Sequence, residues 1–122
     1  MMMLSILLLA AAAPQAAADP TSPTALRTAD ARLNAQYRAT MAKMKARDAV
    51  KQPDAQNGPS YQQALVSAQR AWIAFRDSNC LAFSYEFRGG SAARQSAGTC
   101  LIRMTKARTD ELRLLSQVLT PL

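Results

Sequence analysis

The 122-residue chain contains no histidine, which removes every histidine-based triad, metal site and proton shuttle. Its two cysteines, Cys80 and Cys100, are too few for a zinc site built on three or four thiolates. The four glycines form neither G-x-G-x-x-G nor G-x-x-x-x-G-K-[ST], so neither phosphate-cradling loop exists. Acidic residues are scarce as well: eight, against fifteen Lys and Arg, for a net charge of +7. The acids of the C-terminal half are Asp77, Glu86, Asp110 and Glu111. Glycoside hydrolysis needs one protonated carboxyl facing another across a sugar-sized cleft, and a domain this small offers little such cleft. No enzyme is expected, and no catalytic residue, cofactor or metal is assigned.

What is present is a basic, alanine-rich chain of one-domain size. An excess of cations fits acidic partners such as nucleic acid, anionic lipid or cell-envelope polymer. It fits equally a helical protein whose Arg and Lys simply face water. The densest basic stretch, Lys43, Lys45, Arg47 and Lys51, includes Asp48 and no aromatic residue on which a base would stack, which argues against nucleic acid.

Residues 1–18 are almost free of polar side chains, and Ala16-Ala17-Ala18 precedes Asp19 with small residues at both positions of an A-x-A cleavage site. This reads as a secretory signal peptide, too short to span a bilayer, with a buried N-terminal helix as the alternative. The mature domain is then residues 19–122, periplasmic or secreted, with no transmembrane segment. In an oxidising compartment two thiols of a small domain usually pair. Cys80 and Cys100 each lie ten positions from Gly90, so a hairpin turning at Gly89-Gly90 sets them side by side.

Hydrophobic spacing predicts three helices. Residues 19–23, with two prolines, form an extended leader, and Thr24 is the expected N-cap of a helix to about Arg47 along Leu26, Ala29, Leu33, Tyr37, Met41 and Met44. Gln52 to Pro59 carries turn chemistry throughout. A second helix from about Ser60 to Phe87 has an expected inward stripe of Tyr61, Leu65, Ala68, Trp72, Phe75, Asn79 and Phe83, broadened by Ile73, Cys80 and Phe87. After Arg88-Gly89-Gly90, Ser91 is the expected cap of a third helix. Its inner face is drawn through Cys100, Leu101, Met104, Ala107, Glu111, Leu115 and Val118, and Pro121 stops it. The fold expected is all-α: a three-helix antiparallel bundle whose last two helices form a disulfide-tied hairpin.

The densest information lies between Ala68 and Leu112. It reads AQ-x-x-W-x-x-x-RD-x-x-C from Ala68 through Gln69, Trp72, Arg76 and Asp77 to Cys80. Gly89-Gly90-Ser91 and Cys100 follow, then T-x-x-R-x-x-EL at Thr105, Arg108, Glu111 and Leu112. An earlier D-x-x-LN-x-x-Y is present as Asp30, Leu33-Asn34 and Tyr37. Together these resemble the N-terminal domain of the LprI lysozyme-inhibitor family, small secreted bacterial proteins, over about Asp30 to Leu115. Many relatives carry a second cysteine pair ahead of the first long helix, which this chain lacks. The resemblance implies a non-catalytic binding domain, with lysozyme or another envelope protein as partner. The alternative is an accessory protein that binds anionic envelope polymer or lipid through its basic surface.

Gln69, Trp72, Arg76 and Cys80 fall on one stripe of a helix, and Arg76 can stack on the Trp72 indole. Arg76 with Glu111, or Asp77 with Arg108, are placed to pair across the hairpin. Two readings stay open: a polar seam that fixes helix register, or a pocket around Trp72, Arg76 and Arg108. Arg88, beside the glycine turn, is the candidate inhibitory contact.

Overall fold

The computed structural model describes residues 22–50 and 58–119. The expected signal peptide, most of the connection before Pro59, and Pro121 lie outside the described residues. Three α-helices follow one another: α1 (Pro23–Asp48), α2 (Tyr61–Ser84) and α3 (Ser91–Val118). A single 3-10 turn, Tyr85–Phe87, joins the last two. This is the all-α, three-helix bundle expected, and Cys80 and Cys100 form its disulfide with Cα atoms 5.4 Å apart.

The helix starts differ in detail from the expectation. Ser22, not Thr24, caps α1 by accepting the Ala25 N–H at 3.2 Å. Pro23 is the first helical residue; at that position the missing N–H would have had no intrahelical acceptor. Pro23 therefore does not belong to an extended leader. Ser60 caps α2 in a reciprocal capping box, its hydroxyl accepting the Gln63 N–H while the Gln63 side chain accepts the Ser60 N–H at 2.8 Å. Gly90, not Ser91, occupies the cap position of α3, with no side-chain bond. The chain turns at Gly89, whose φ of 82° suits only glycine, and is extended again by Gly90, so Ser91 is already inside the first turn.

The start of α2 is held to the end of α1. Asp48, at the end of α1, accepts the N–H groups of Tyr61 and Gln62 at 2.8 and 3.1 Å, and the Gln62 side-chain amide at 3.1 Å. Its charge meets the positive end of α2. Desolvation pushes the Asp48 carboxyl up, but the bonds from Gln62, Tyr61 and Ser60 together outweigh it and hold the group below its usual value of 3.8. A carboxyl depressed in the fold stabilises it above the unfolded pKa, and that contribution is lost as pH falls through the folded value. Melting temperature should therefore fall more steeply between about pH 5 and pH 2 in the wild type than in Asp48→Asn, with the two curves converging at the acid end. Parallel curves across that window would show that Asp48 does not tie the two helices.

The core is compact: Leu33 and Met44 of α1, Leu65 of α2 and Leu112 of α3, with Tyr37, Met41, Tyr61, Trp72 and Leu115 packed against it. Thr40, wholly buried, donates its hydroxyl to the Leu112 carbonyl at 3.1 Å, and Lys43 donates to the Ser116 carbonyl at 2.8 Å. These pairings run α1 and α3 parallel, with α2 antiparallel to both.

The α1 stripe holds, but two inner faces need correction. On α2 the buried track is Leu65, Gln69, Cys80 and Ser84, with Trp72 and Arg76 half-buried between them. Phe75, Phe83, Ile73, Phe87 and Ala68 are exposed, Phe75 by 60% and Phe83 by 54%. The disulfide explains the rotation: it turns the Cys80 and Ser84 side of the helix onto α3 and so turns Phe83 outward. On α3 the buried residues are Cys100, Ile102, Thr105, Leu112 and Ser116, while Ala107, Glu111 and Val118 are exposed. The expected stripe followed the side of α3 that faces α2. Because α1 packs on the other side, Ile102, Thr105, Leu112 and Ser116 are covered too.

Candidate functional site

The motif residues separate into two places. The first is a polar seam where all three helices meet around Trp72. Arg76 stacks over the indole, 5.1 Å from its centroid. Its Nη1 donates to Asp30 of α1 at 3.3 Å and to the Thr105 hydroxyl of α3 at 3.2 Å, and its Nε donates to Asp77 at 3.0 Å. Arg108 lies 5.9 Å from the same ring. It donates to the side-chain amide oxygen of the buried Gln69 at 3.0 Å and to Glu111 at 2.9 Å. The two side chains are only 16% and 14% exposed.

The sequence brought the right residues to one place but drew the ion pairs differently. Arg76 does not meet Glu111, nor Arg108 Asp77. Glu111 lies one turn beyond Arg108 on α3 and takes it within the helix. That leaves Arg76 to reach across to α1. Asp30, which completes the seam, was legible only as part of D-x-x-LN-x-x-Y, one turn ahead of the buried Leu33.

The second place is the hairpin tip. Gly89 makes the turn, Gly90 starts α3, and Ser91 and Arg88 are exposed. The Arg88 guanidinium sits 3.9 Å from the centroid of Tyr85. Phe83 and Phe87 are exposed as well, and together with Arg103 and Thr99 they line a shallow hollow of about 350 Å³. Arg103 lies 5.7 Å from the Phe83 ring. Sequence periodicity assigned Phe83 and Phe87 to the interior. The signal that points the other way is the cysteine position, which fixes the inward side of α2.

No group of three or more acidic or cysteine side chains among the described residues is arranged to hold a metal ion. No helix among them is long and apolar enough to cross a membrane.

Residues 10–112 match the family described as "Lysozyme inhibitor LprI", a span covering both the seam and the tip. The chain belongs to the LprI family. An uncharacterized protein of Rhizobium meliloti (strain 1021) is 41% identical to this LprI chain over 92 residues, 75% of the chain and 66% of that protein. The chain thus spans just under two thirds of the length of the curated relative it matches. No solved structure matches this LprI chain significantly.

Proposed function

We propose that this protein is an exported, non-catalytic binding domain that blocks a lysozyme-type muramidase with the tip of its α2–α3 hairpin. Residues 1–18 direct export and are removed, and the Cys80–Cys100 disulfide suits the oxidising compartment that follows. Membership of a family described as lysozyme inhibitors supports the class of partner. The observation that carries the choice of surface is the tip itself: Arg88 stacked on Tyr85, with Phe83 and Phe87 also exposed where the hairpin ends. Exposed apolar clusters of this kind mark protein contacts, and aromatic and arginine side chains dominate binding energy at interfaces. Glycosidases of this kind use a pair of carboxyl groups in their cleft. An exposed guanidinium at the turn carries the charge that complements such a pair, and its donors can take a carboxylate in bidentate fashion.

On this reading the Trp72 seam fixes the register of the three helices and makes no contact with the muramidase. Its arginines are largely covered and bonded to protein acceptors, which suits a structural part better than a ligand pocket. Arg88→Glu replaces the attractive cation with a repelled anion at an exposed position. Affinity for the muramidase, measured by calorimetry, should fall at least about thirtyfold, as for truncation of a buried charge pair, with melting temperature unchanged. Unaltered affinity would remove the tip from the interface.

A further inference from the structure

A second surface, away from the aromatic rings of the tip, gathers three of the chain's cations. Between the N-terminal half of α1 and the C-terminal half of α3 runs a groove of about 550 Å³, within the usual range for ligand sites. Ala29, 3% exposed, lies at its floor. Arg32 projects from one wall, and Lys106 and Arg113 from the other, with the hydroxyl-bearing Thr28 and Thr109 alongside. Asp110 is the single acid of the lining, and it pairs with Arg113 at 2.7 Å. Among the described residues Arg32 and Lys106 have no ion-pair partner. The recess therefore has an excess of two positive charges.

We propose that this groove binds a phosphorylated, extended polymer, one phosphate seated between Arg32 and Lys106. Phosphate fits because its charge balances the excess of the lining and its several oxygens take the donors of both cations at once. A chain fits because the groove is open along the helices, so neighbouring units can leave at either end. A membrane surface is the other anionic candidate, but an open groove along two helices suits an extended chain better than a flat array of headgroups. The proposal is independent of the muramidase reading and uses none of its residues.

The test is calorimetric titration of the purified protein with soluble polyphosphate, with phosphatidylglycerol vesicles as a parallel arm. The double variant Arg32→Gln/Lys106→Gln should lose at least about tenfold in polyphosphate affinity, the loss expected for charged hydrogen bonds. A charge-matched control, Arg38→Gln/Arg70→Gln, removes two exposed cations elsewhere and should leave affinity nearly unchanged. Asp110→Asn, which frees Arg113, should tighten binding by about threefold. Equal losses in the two double variants would reduce the effect to net charge and overturn the site. So would binding to vesicles alone, or binding to neither probe. Circular dichroism of each variant confirms that the fold is intact.

Discussion

Trp72→Ala is expected to destabilise the protein by about 3 kcal/mol, the low end for truncating a large aromatic, because the ring is half-buried. In a domain of this size that lowers the melting temperature by more than about 10 °C. Two losses combine. The indole packs against the core of Leu33, Met44, Leu65 and Leu112, and both Arg76 and Arg108 stack on it. Without the ring the two guanidiniums lose their shared platform, and with it the geometry that joins α1, α2 and α3. Thermal melts measure the stability change. At a temperature where the variant is still folded, muramidase affinity should stay within about twofold of the wild type, because remote sites usually act independently. An unchanged melting temperature with binding lost would make Trp72 a contact residue and the seam a binding site.

The second large effect comes from the disulfide. Cys80→Ser/Cys100→Ser removes the closure of a loop with a sequence separation of 20, worth about 3 kcal/mol in the chain-entropy model. The bond lies between the core and the tip. Met104 packs onto it, its sulfur 3.7 Å from Cys80 Sγ and 3.9 Å from Cys100 Sγ. Beyond Ser84 the tip offers only exposed side chains to hold it together. The variant should therefore melt lower and also bind its partner more weakly while still folded, since the turn that presents Arg88 loses its anchor. Equal melting temperatures with and without reductant would show that the hairpin needs no tie.

Much of this architecture was legible before any coordinates. The Leu26 to Met44 stripe gave α1, the two cysteines around Gly89-Gly90 gave the hairpin, and the Gln69–Trp72–Arg76–Cys80 spacing gave the seam. What escaped has physical reasons. Periodicity shows that a helix has an inward face, but which side is inward depends on its neighbours. Phe83 and Phe87 satisfy the apolar pattern and yet lie outside, because a covalent bond at Cys80 fixes the rotation of α2. The buried side of α3 contains Thr105 and Ser116, polar residues that a hydrophobic pattern passes over; the Thr105 hydroxyl accepts from Arg76 of α2, and the Ser116 backbone carbonyl accepts from Lys43 of α1. The inter-helix acidic partner of Arg76 is Asp30, which stands 46 residues away in sequence and is brought close only by the packing of α1. Arg88 was legible at the tip from its place beside the glycine turn, but the exposure of Phe83 and Phe87 was not.

The central claim is that the protein binds and blocks a muramidase, and turnover of that enzyme tests it most directly. Cell-wall hydrolysis by a purified lysozyme should fall in proportion to added wild-type protein and reach a plateau of inhibition at molar excess. The effect should hold at low and at physiological salt, because the contacts at the tip are short-ranged and in part apolar. Turnover that stays unchanged at large molar excess in both salt conditions would contradict the account.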